Sequence, residues 1–231
     1  ACLLVVMMGY GVLLPVLPFF LERLMAGGAT QDNIAFHFGI LTAIYPVTLV
    51  FTAPFWGRIS DKLGSKSLII LGLGGFVIMQ VMIAFSTSLA MLYAARIVGS
   101  LLSSFLVPVI NTHISDITVA ENRIKAMAWA GTSASIGVVI GPGISGVLAG
   151  SDLHLRWPQF FHLQIDRFSV PFLVLGLLGV LTLVISLIFL KDKKSNAPIL
   201  TTQKFGPIFP HGKWREFRKL LMFSLILSLG I

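Results

Sequence analysis

Apolar residues occur in six long runs along the chain, and short polar stretches separate these runs. The runs cover 1–21, 38–56, 68–85, 89–114, 126–150 and 168–190. Each is long enough for a transmembrane helix, which needs about 20 residues with a range of roughly 17–25. None shows the strict alternation of apolar and polar positions that a membrane β-barrel requires. The pattern therefore predicts an all-α membrane protein with a bundle of six transmembrane helices.

A further apolar run begins near Leu220 and extends to Ile231, after a stretch rich in proline and basic residues. We predict three parts: an N-terminal six-helix bundle at 1–190, a cytoplasmic basic linker at 191–219, and the start of a seventh transmembrane helix at 220–231. Because Ala1 already lies within an apolar run, we expect the sequence to belong to a longer protein.

The composition supports a protein surrounded by lipid. Hydrophobic residues make up 56% of the chain and charged residues 11%, with a mean hydropathy of +0.92. A soluble domain of this size needs more charge to cover its surface. The single cysteine, Cys2, excludes a disulfide framework and a cysteine metal site. We expect no cofactor and no metal.

The basic residues are distributed unequally between the two sides of the membrane. Thirteen of the 17 Lys and Arg residues lie in the loops after the second, fourth and sixth runs, three lie on the opposite side, and Arg96 lies inside a run. Cytoplasmic loops carry the excess of Lys and Arg. We therefore predict a multi-pass protein of the inner (plasma) membrane with its N-terminus in the cytoplasm. The net charge of +8 then reflects topology, and it does not indicate a nucleic-acid partner.

The segment after the second run predicts a tight cytoplasmic loop. Gly57 permits close helix approach, Gly64 permits a positive φ, and Asp61 can accept charge-assisted hydrogen bonds or face a helix N-terminus. An ordinary positive-inside loop with turn glycines is the alternative. The pattern resembles the Gly-x-x-x-Asp-x-x-Gly-x-(Arg/Lys) signature of the major facilitator superfamily. The resemblance implies a cytoplasmic gate between two halves of a transporter, formed here by Gly57, Arg58, Asp61, Lys62, Gly64 and Lys66.

Three further stretches resemble the twelve-span drug/proton antiporters of that superfamily, in particular the tetracycline exporters. They lie at 9–18, 92–99 and 137–146. In the first, Pro15 and Pro18 each remove a backbone hydrogen bond, so we expect a kink in the first span. Pro108 is expected to break the fourth span at a position comparable to Pro15. The second stretch contains Arg96, which matches the fourth-span arginine of the family.

The third stretch is similar to the fifth-span antiporter motif Gly-x-x-x-Gly-Pro-x-x-Gly-Gly. Gly137, Gly141 and Ser145 are four residues apart and so share one helix face, which lets a neighbouring helix approach closely. Pro142 is expected to kink the helix beside this face, and Gly146 ends the motif. Ser145 departs from the family's glycine. A small-residue packing seam without an antiporter role is the alternative interpretation.

Arg96 places a charge at membrane depth, which costs about 2.5–3.5 kcal/mol on insertion scales. The side chain should therefore face the bundle interior and have a partner. Two roles remain open for it. One is structural, with hydrogen bonds to backbone carbonyls, and the other is proton coupling or contact with the substrate.

The tetracycline exporters have an aspartate in the first span at the position that matches Val6. Asp and Glu are absent from the deep part of all six predicted spans. A carboxylate that couples protons to transport would therefore have to lie in the C-terminal half, or proton coupling differs from that of the tetracycline exporters. Asn111, His113 and Gln80 are the polar candidates for lining a cavity. Each is equally compatible with a packed, hydrogen-bonded position between helices.

Together, these features predict a transporter that exports a small-molecule substrate by alternating access, through proton antiport. Its partners would be the substrate, the lipid bilayer, protons and a C-terminal six-helix half. An importer or symporter of the same superfamily is the first alternative, but it is not expected to carry the Gly141–Pro142 motif. An intramembrane enzyme is the second, and the spans lack the catalytic constellation that it needs. We therefore expect no enzymatic activity.

Overall fold

A computed structural model describes residues 1–25, 30–150 and 168–190, and all regular elements in these ranges are α-helices. They are α1 (Cys2–Leu24), α2 (Gln31–Leu63), α3 (Ser65–Ala84), α4 (Leu89–Ser103), α5 (Leu106–Ile117), α6 (Ala120–Gly150) and α7 (Val170–Phe189). Within these ranges, six spans are long and apolar enough to cross a membrane, and α4 and α5 together form the fourth. The predicted all-α six-helix bundle is confirmed. The predicted linker at 191–219 and the seventh helix at 220–231 lie outside the described residues.

The core of the bundle lies around α1 and α3. Helix α1 packs against α6, α7 and α2, while α3 packs against α4, α5 and α7. Leu13, Leu17 and Phe20 of α1 and Leu68 and Leu73 of α3 are almost completely buried. In contrast, α2 and α6 expose most of their apolar side chains. Exposed apolar faces of this extent are expected where helices contact lipid or a further membrane domain.

The fourth span is divided into two helices, where the sequence pattern predicts a single apolar run at 89–114. Helix α4 ends at Ser103 and α5 begins at Leu106. Pro108 explains this position, because it has no N–H to donate to the carbonyl of Ser104 four residues earlier. The break predicted at Pro108 is therefore present. No comparable break occurs at Pro15, since α1 continues through both Pro15 and Pro18.

The second span ends later than the sequence pattern predicts. Residues 57–63, predicted as loop, continue α2 to Leu63, and α3 already begins at Ser65. The turn is the single residue Gly64, which has a φ of 80° and donates its N–H to the carbonyl of Ser60 at 3.0 Å. Polar residues that leave the hydrocarbon layer can remain helical until a residue with positive φ ends the helix. The predicted role of Gly64 is correct, whereas the predicted loop is too long.

Candidate functional site

The contact between α1 and α6 contains a seam in which glycines bring the two helix backbones close together. A Cβ atom on Gly141 would lie 2.8 Å from the Cα of Gly11 and 2.8 Å from the carbonyl oxygen of Met8. A Cβ on Gly137 would overlap the carbonyl oxygen of Leu4. These neighbours are backbone atoms, which cannot rotate away. The predicted small-residue face of 137–146 therefore exists, and it brings two helix backbones into contact.

The register of this seam shows that α1 and α6 run in parallel there. Leu4 faces Gly137 and Met8 faces Gly141, four residues further along both helices. A Cβ on Gly11 would lie 2.7 Å from the carbonyl oxygen of Val138. Pro142 leaves that carbonyl without its helical donor. Glycine Cα–H groups directed at carbonyl oxygens are weak hydrogen-bond donors that recur where helices cross closely.

The last two positions of the motif differ from each other. Ser145 is buried, and its hydroxyl donates to the carbonyl of Pro142 at 2.9 Å within α6. A Cβ on Gly146 would meet nothing within 4 Å in the described part of the chain. Gly146 therefore does not belong to the α1–α6 seam, because it faces away from α1.

Arg96 lies inside the bundle with 3% of its surface exposed. Its Nε and Nη2 groups both donate to the carbonyl oxygen of Leu41 on α2, at 3.2 and 3.1 Å, and Nη1 lies 3.9 Å from the Sδ of Met79 on α3. The expectation of an inward-facing, partnered arginine is confirmed, and the partner is a backbone carbonyl. Among the two roles considered, this geometry matches the structural one within the described residues. Arg96 thereby joins α4 to α2 and α3.

Arg96 is one member of a row of polar contacts between α2 and the fourth span, which we call the α2–α4 row. On α2 the row uses positions with helical spacing, which share one face. From the first contact to the last, it comprises His37 Nδ1 to Tyr93 Oη at 2.8 Å, Arg96 to the Leu41 carbonyl, Tyr45 Oη to the Ser103 carbonyl at 3.3 Å, and Thr52 Oγ1 to Ser104 Oγ at 3.2 Å. Hydrogen bonds thus follow this interface through most of the membrane depth.

The residues of the predicted gate lie at the end of α2 and the start of α3. Arg58 is exposed and Lys66 is half-buried. Gly57 is also exposed, and a Cβ there would meet no described atom within 4 Å. The predicted close helix approach at Gly57 is therefore not present among these helices. Asp61 and Lys62 lie in the last turn of α2, but their side chains are outside the part that the structure describes.

The three cavity candidates occupy different environments. Gln80 is buried at 2% exposure between α1, α3 and α7, and a Cβ on Gly9 would lie 3.5 Å from its Nε2. This Nε2 has no hydrogen-bond partner among the described residues. The position belongs to the interior packing of the bundle, and it does not line an open face. Asn111 and His113 are half-buried on α5, six and four residues before its end.

Besides Arg96, the α2–α4 row contains three titratable side chains that were not predicted as site residues: His37, Tyr93 and Tyr45. A usable signal was present, because polar or titratable residues inside a span are expensive and mark functional positions. Within the described ranges, no cluster of three His, Cys, Asp or Glu side chains is arranged to hold a metal ion. The contacts that the structure shows in the α2–α4 row are hydrogen bonds.

Comparison with known proteins agrees with these features. The chain is 34% identical over 157 residues to Multidrug resistance protein 2 of Bacillus subtilis (strain 168), covering 68% of this chain and 37% of that protein. It is 27% identical over 230 residues to Quinolone resistance protein NorA of Staphylococcus aureus, covering 98% and 53%. It is 29% identical over 195 residues to Tetracycline resistance protein, class H, of Pasteurella multocida, covering 84% and 44%.

The chain thus spans about half the length, or less, of the curated relatives that it matches. A family model described as Major Facilitator Superfamily matches residues 1–231. The resemblance seen in the sequence motifs is confirmed by this match and by the relatives above. The chain belongs to the Major Facilitator Superfamily.

Proposed function

We propose that this chain is the N-terminal half of an exporter of small organic molecules, driven by proton antiport across the inner membrane. The observation that carries the proposal is the α1–α6 seam, in which Gly137, Gly141 and Pro142 match the antiporter motif and hold two helix backbones in contact. The printed names of the relatives concern resistance to multiple drugs, quinolones and tetracycline. We extend that substrate class to this protein.

The internal contacts support a bundle that moves as one body. The α1–α6 seam has no flexible side chains at its centre, and Arg96 joins α4 to α2 and α3. Alternating access in this superfamily is largely the rocking of one such bundle against another around a fixed site. The exposed apolar faces of α2 and α6 are the surfaces available for lipid and for the second bundle. Asn111 and His113 remain as candidates for lining the substrate cavity.

Export is tested in cells that express the full-length protein. We expect lower steady-state accumulation of a fluorescent quinolone than in cells with the empty vector, and a rise to the control level after a protonophore collapses the proton gradient. Accumulation above the control would instead support the importer alternative. Equal accumulation with and without the protein, for quinolone and tetracycline alike, would contradict the proposed substrate class.

We further propose that the N-terminus and the Gly64 turn are cytoplasmic, and that residues 57–66 form the gate between the two bundles. The excess of basic residues in these loops supports this orientation. In a full-length protein without reactive native cysteines, Ser65→Cys should be inaccessible to an impermeant thiol reagent in intact cells and reactive in inside-out vesicles. Its labelling rate should change when substrate is added, because the gate opens and closes.

Thr87 is the matched control for this experiment, because it is exposed in the α3–α4 connection at the opposite end of α3. Thr87→Cys should label in intact cells. The reverse pattern, with Ser65→Cys labelled from outside, would invert the orientation. A labelling rate of Ser65→Cys that does not change when substrate is added would contradict the proposal that residues 57–66 form a gate.

A further inference from the structure

His37 is a titratable side chain inside a transmembrane helix, in direct contact with a second span. It is half-buried on α2, six residues after the start of that helix. Its Nδ1 atom lies 2.8 Å from the hydroxyl of Tyr93 on α4. The rings of Phe36 and Tyr93 pack edge-on against the imidazole, with centroid distances of 5.6 and 5.9 Å. The imidazole is therefore oriented by its neighbours and still partly accessible.

Carboxylates do not occupy the interior of the described helices. Each of the five Asp and Glu residues in the described ranges lies within three residues of a helix end; they are Glu22, Asp32, Asp61, Asp116 and Glu121. His113 lies near the end of α5. His37 lies six residues inside α2, further from a helix end than any of these acids, and it contacts Tyr93 in the fourth span. Histidine is also the residue type that changes charge near neutral pH.

Charged and titratable groups on the elements that pack against α2 define the surroundings of His37. On α4 these are Tyr93 and Arg96, and on α2 itself Asp32 lies five residues earlier. Helix α1 contributes Tyr10, Glu22 and Arg23, of which Arg23 donates to the carbonyl of Ser86 at 3.2 Å. Helix α3 contributes Lys66 at its opposite end. Arg96 is the cation that shares the α2–α4 row with His37.

We propose that His37 binds the coupling proton from the outer side of the membrane, an inference that rests on the proposed proton-driven export and on the proposed orientation. One proton from external water adds to the neutral imidazole and forms an imidazolium. Both ring nitrogens then carry N–H groups, so Nδ1 donates to the Tyr93 oxygen. Release of the proton to water on the inner side restores the neutral ring, and no other reactant is consumed.

Arg96 provides the coupling between protonation and conformation. His37 and Leu41 are four residues apart and therefore lie one turn from each other on the same face of α2, and Leu41 accepts the guanidinium of Arg96. A protonated His37 would place a second positive charge one turn from Leu41, the residue whose carbonyl accepts that guanidinium. Like charges at this separation repel in a medium of low dielectric constant. Proton binding therefore favours the conformation of the transporter in which these two positive charges lie further apart.

The test uses the full-length protein in vesicles with a fixed internal pH and tetracycline or a quinolone as the exported probe. For the parent we expect the export rate to rise about tenfold as the external pH falls from about 8 to about 6, the interval in which histidines change charge. His37→Gln keeps a hydrogen-bonding group for Tyr93 but cannot bind a proton, so its rate should vary by less than about twofold over the same interval. Tyr93→Phe keeps the imidazole and should shift the midpoint of the profile without flattening it.

Asn33→Gln is the matched control, because Asn33 is an exposed amide one turn earlier on α2; it should keep the parent profile. A His37→Gln protein that is slower at every pH but retains the parent pH profile would show a structural role and overturn the proposal. An unchanged midpoint in Tyr93→Phe would also contradict it. If the parent exports neither probe at any pH, the proposed function itself fails, and the inference with it.

Discussion

Replacing Gly141 with alanine is expected to separate α1 from α6 and to abolish export. The added Cβ would lie 2.8 Å from backbone atoms of both Gly11 and Met8, and backbone atoms cannot change rotamer to make room. Overpacking of a tightly packed interior costs about 1–3 kcal/mol. The helices can relieve the overlap only by moving apart, which also loosens the backbone contacts of the seam. Thermal unfolding of the purified protein and probe export in cells measure the two effects.

Gly143→Ala is the matched control on the same helix, two residues away. A Cβ at Gly143 meets no described atom within 4 Å, and alanine is the better helix former by about 1 kcal/mol. We expect a thermal midpoint equal to or above that of the parent and normal export. If Gly141→Ala is as stable and as active as Gly143→Ala, the α1–α6 seam does not need its close approach, and the main support for the exporter assignment is lost.

Removing the charge at Arg96 is expected to reduce export more than it reduces stability. Arg96→Met preserves much of the side-chain volume, and replacing a buried charge by an apolar residue is often neutral or stabilising. It loses the hydrogen bonds to the Leu41 carbonyl, and hydrogen bonds to charged groups are worth about 1.5–3 kcal/mol. If these bonds hold α2 and α4 in register during transport, the export rate should fall by about tenfold or more.

Two further variants separate charge from geometry at this position. Arg96→Lys keeps the charge but loses the planar fork that binds the Leu41 carbonyl through two nitrogens, so we expect partial activity. Arg96→Ala loses charge, hydrogen bonds and volume, and should be almost inactive. All three proteins are first compared by thermal unfolding. Export at the parent level by a well-folded Arg96→Met would show that Arg96 has no part in transport, and loss of folding in all three variants would assign it a purely structural role.

The features that the sequence predicts well depend on local geometry. Apolar runs about 20 residues long identify the spans because the hydrocarbon thickness fixes helix length. The spacing of Gly137 and Gly141 identifies one helix face because residues four apart always share a face. Neither inference depends on which helix packs against the span. The same reasoning predicted the positive φ at Gly64, because a helix that ends in a tight turn favours glycine at that position.

The features that the sequence did not predict depend on how one helix is placed against another. The Leu41 carbonyl that accepts Arg96 and the hydroxyl of Tyr93 beside His37 are brought there by the packing of α2 on α4. No pattern within a single span specifies that pairing. The environment of Gln80 could not be predicted for the same reason, because a polar residue in a span can face either a cavity or the packed interior. In the structure Gln80 is buried in the packed interior. The length of α2 was underestimated because a helix does not have to end at the membrane surface.

We propose that the full-length protein moves a small organic molecule outward in exchange for protons, and transport in proteoliposomes tests this proposal most directly. The full-length protein is reconstituted, and uptake of tetracycline or a quinolone is followed under an imposed pH gradient of either sign. With an acidic lumen, proton efflux should drive accumulation of the probe inside the vesicles, and collapsing the gradient should release it. Accumulation driven by an acidic exterior would indicate symport, and accumulation independent of the gradient would contradict proton coupling altogether.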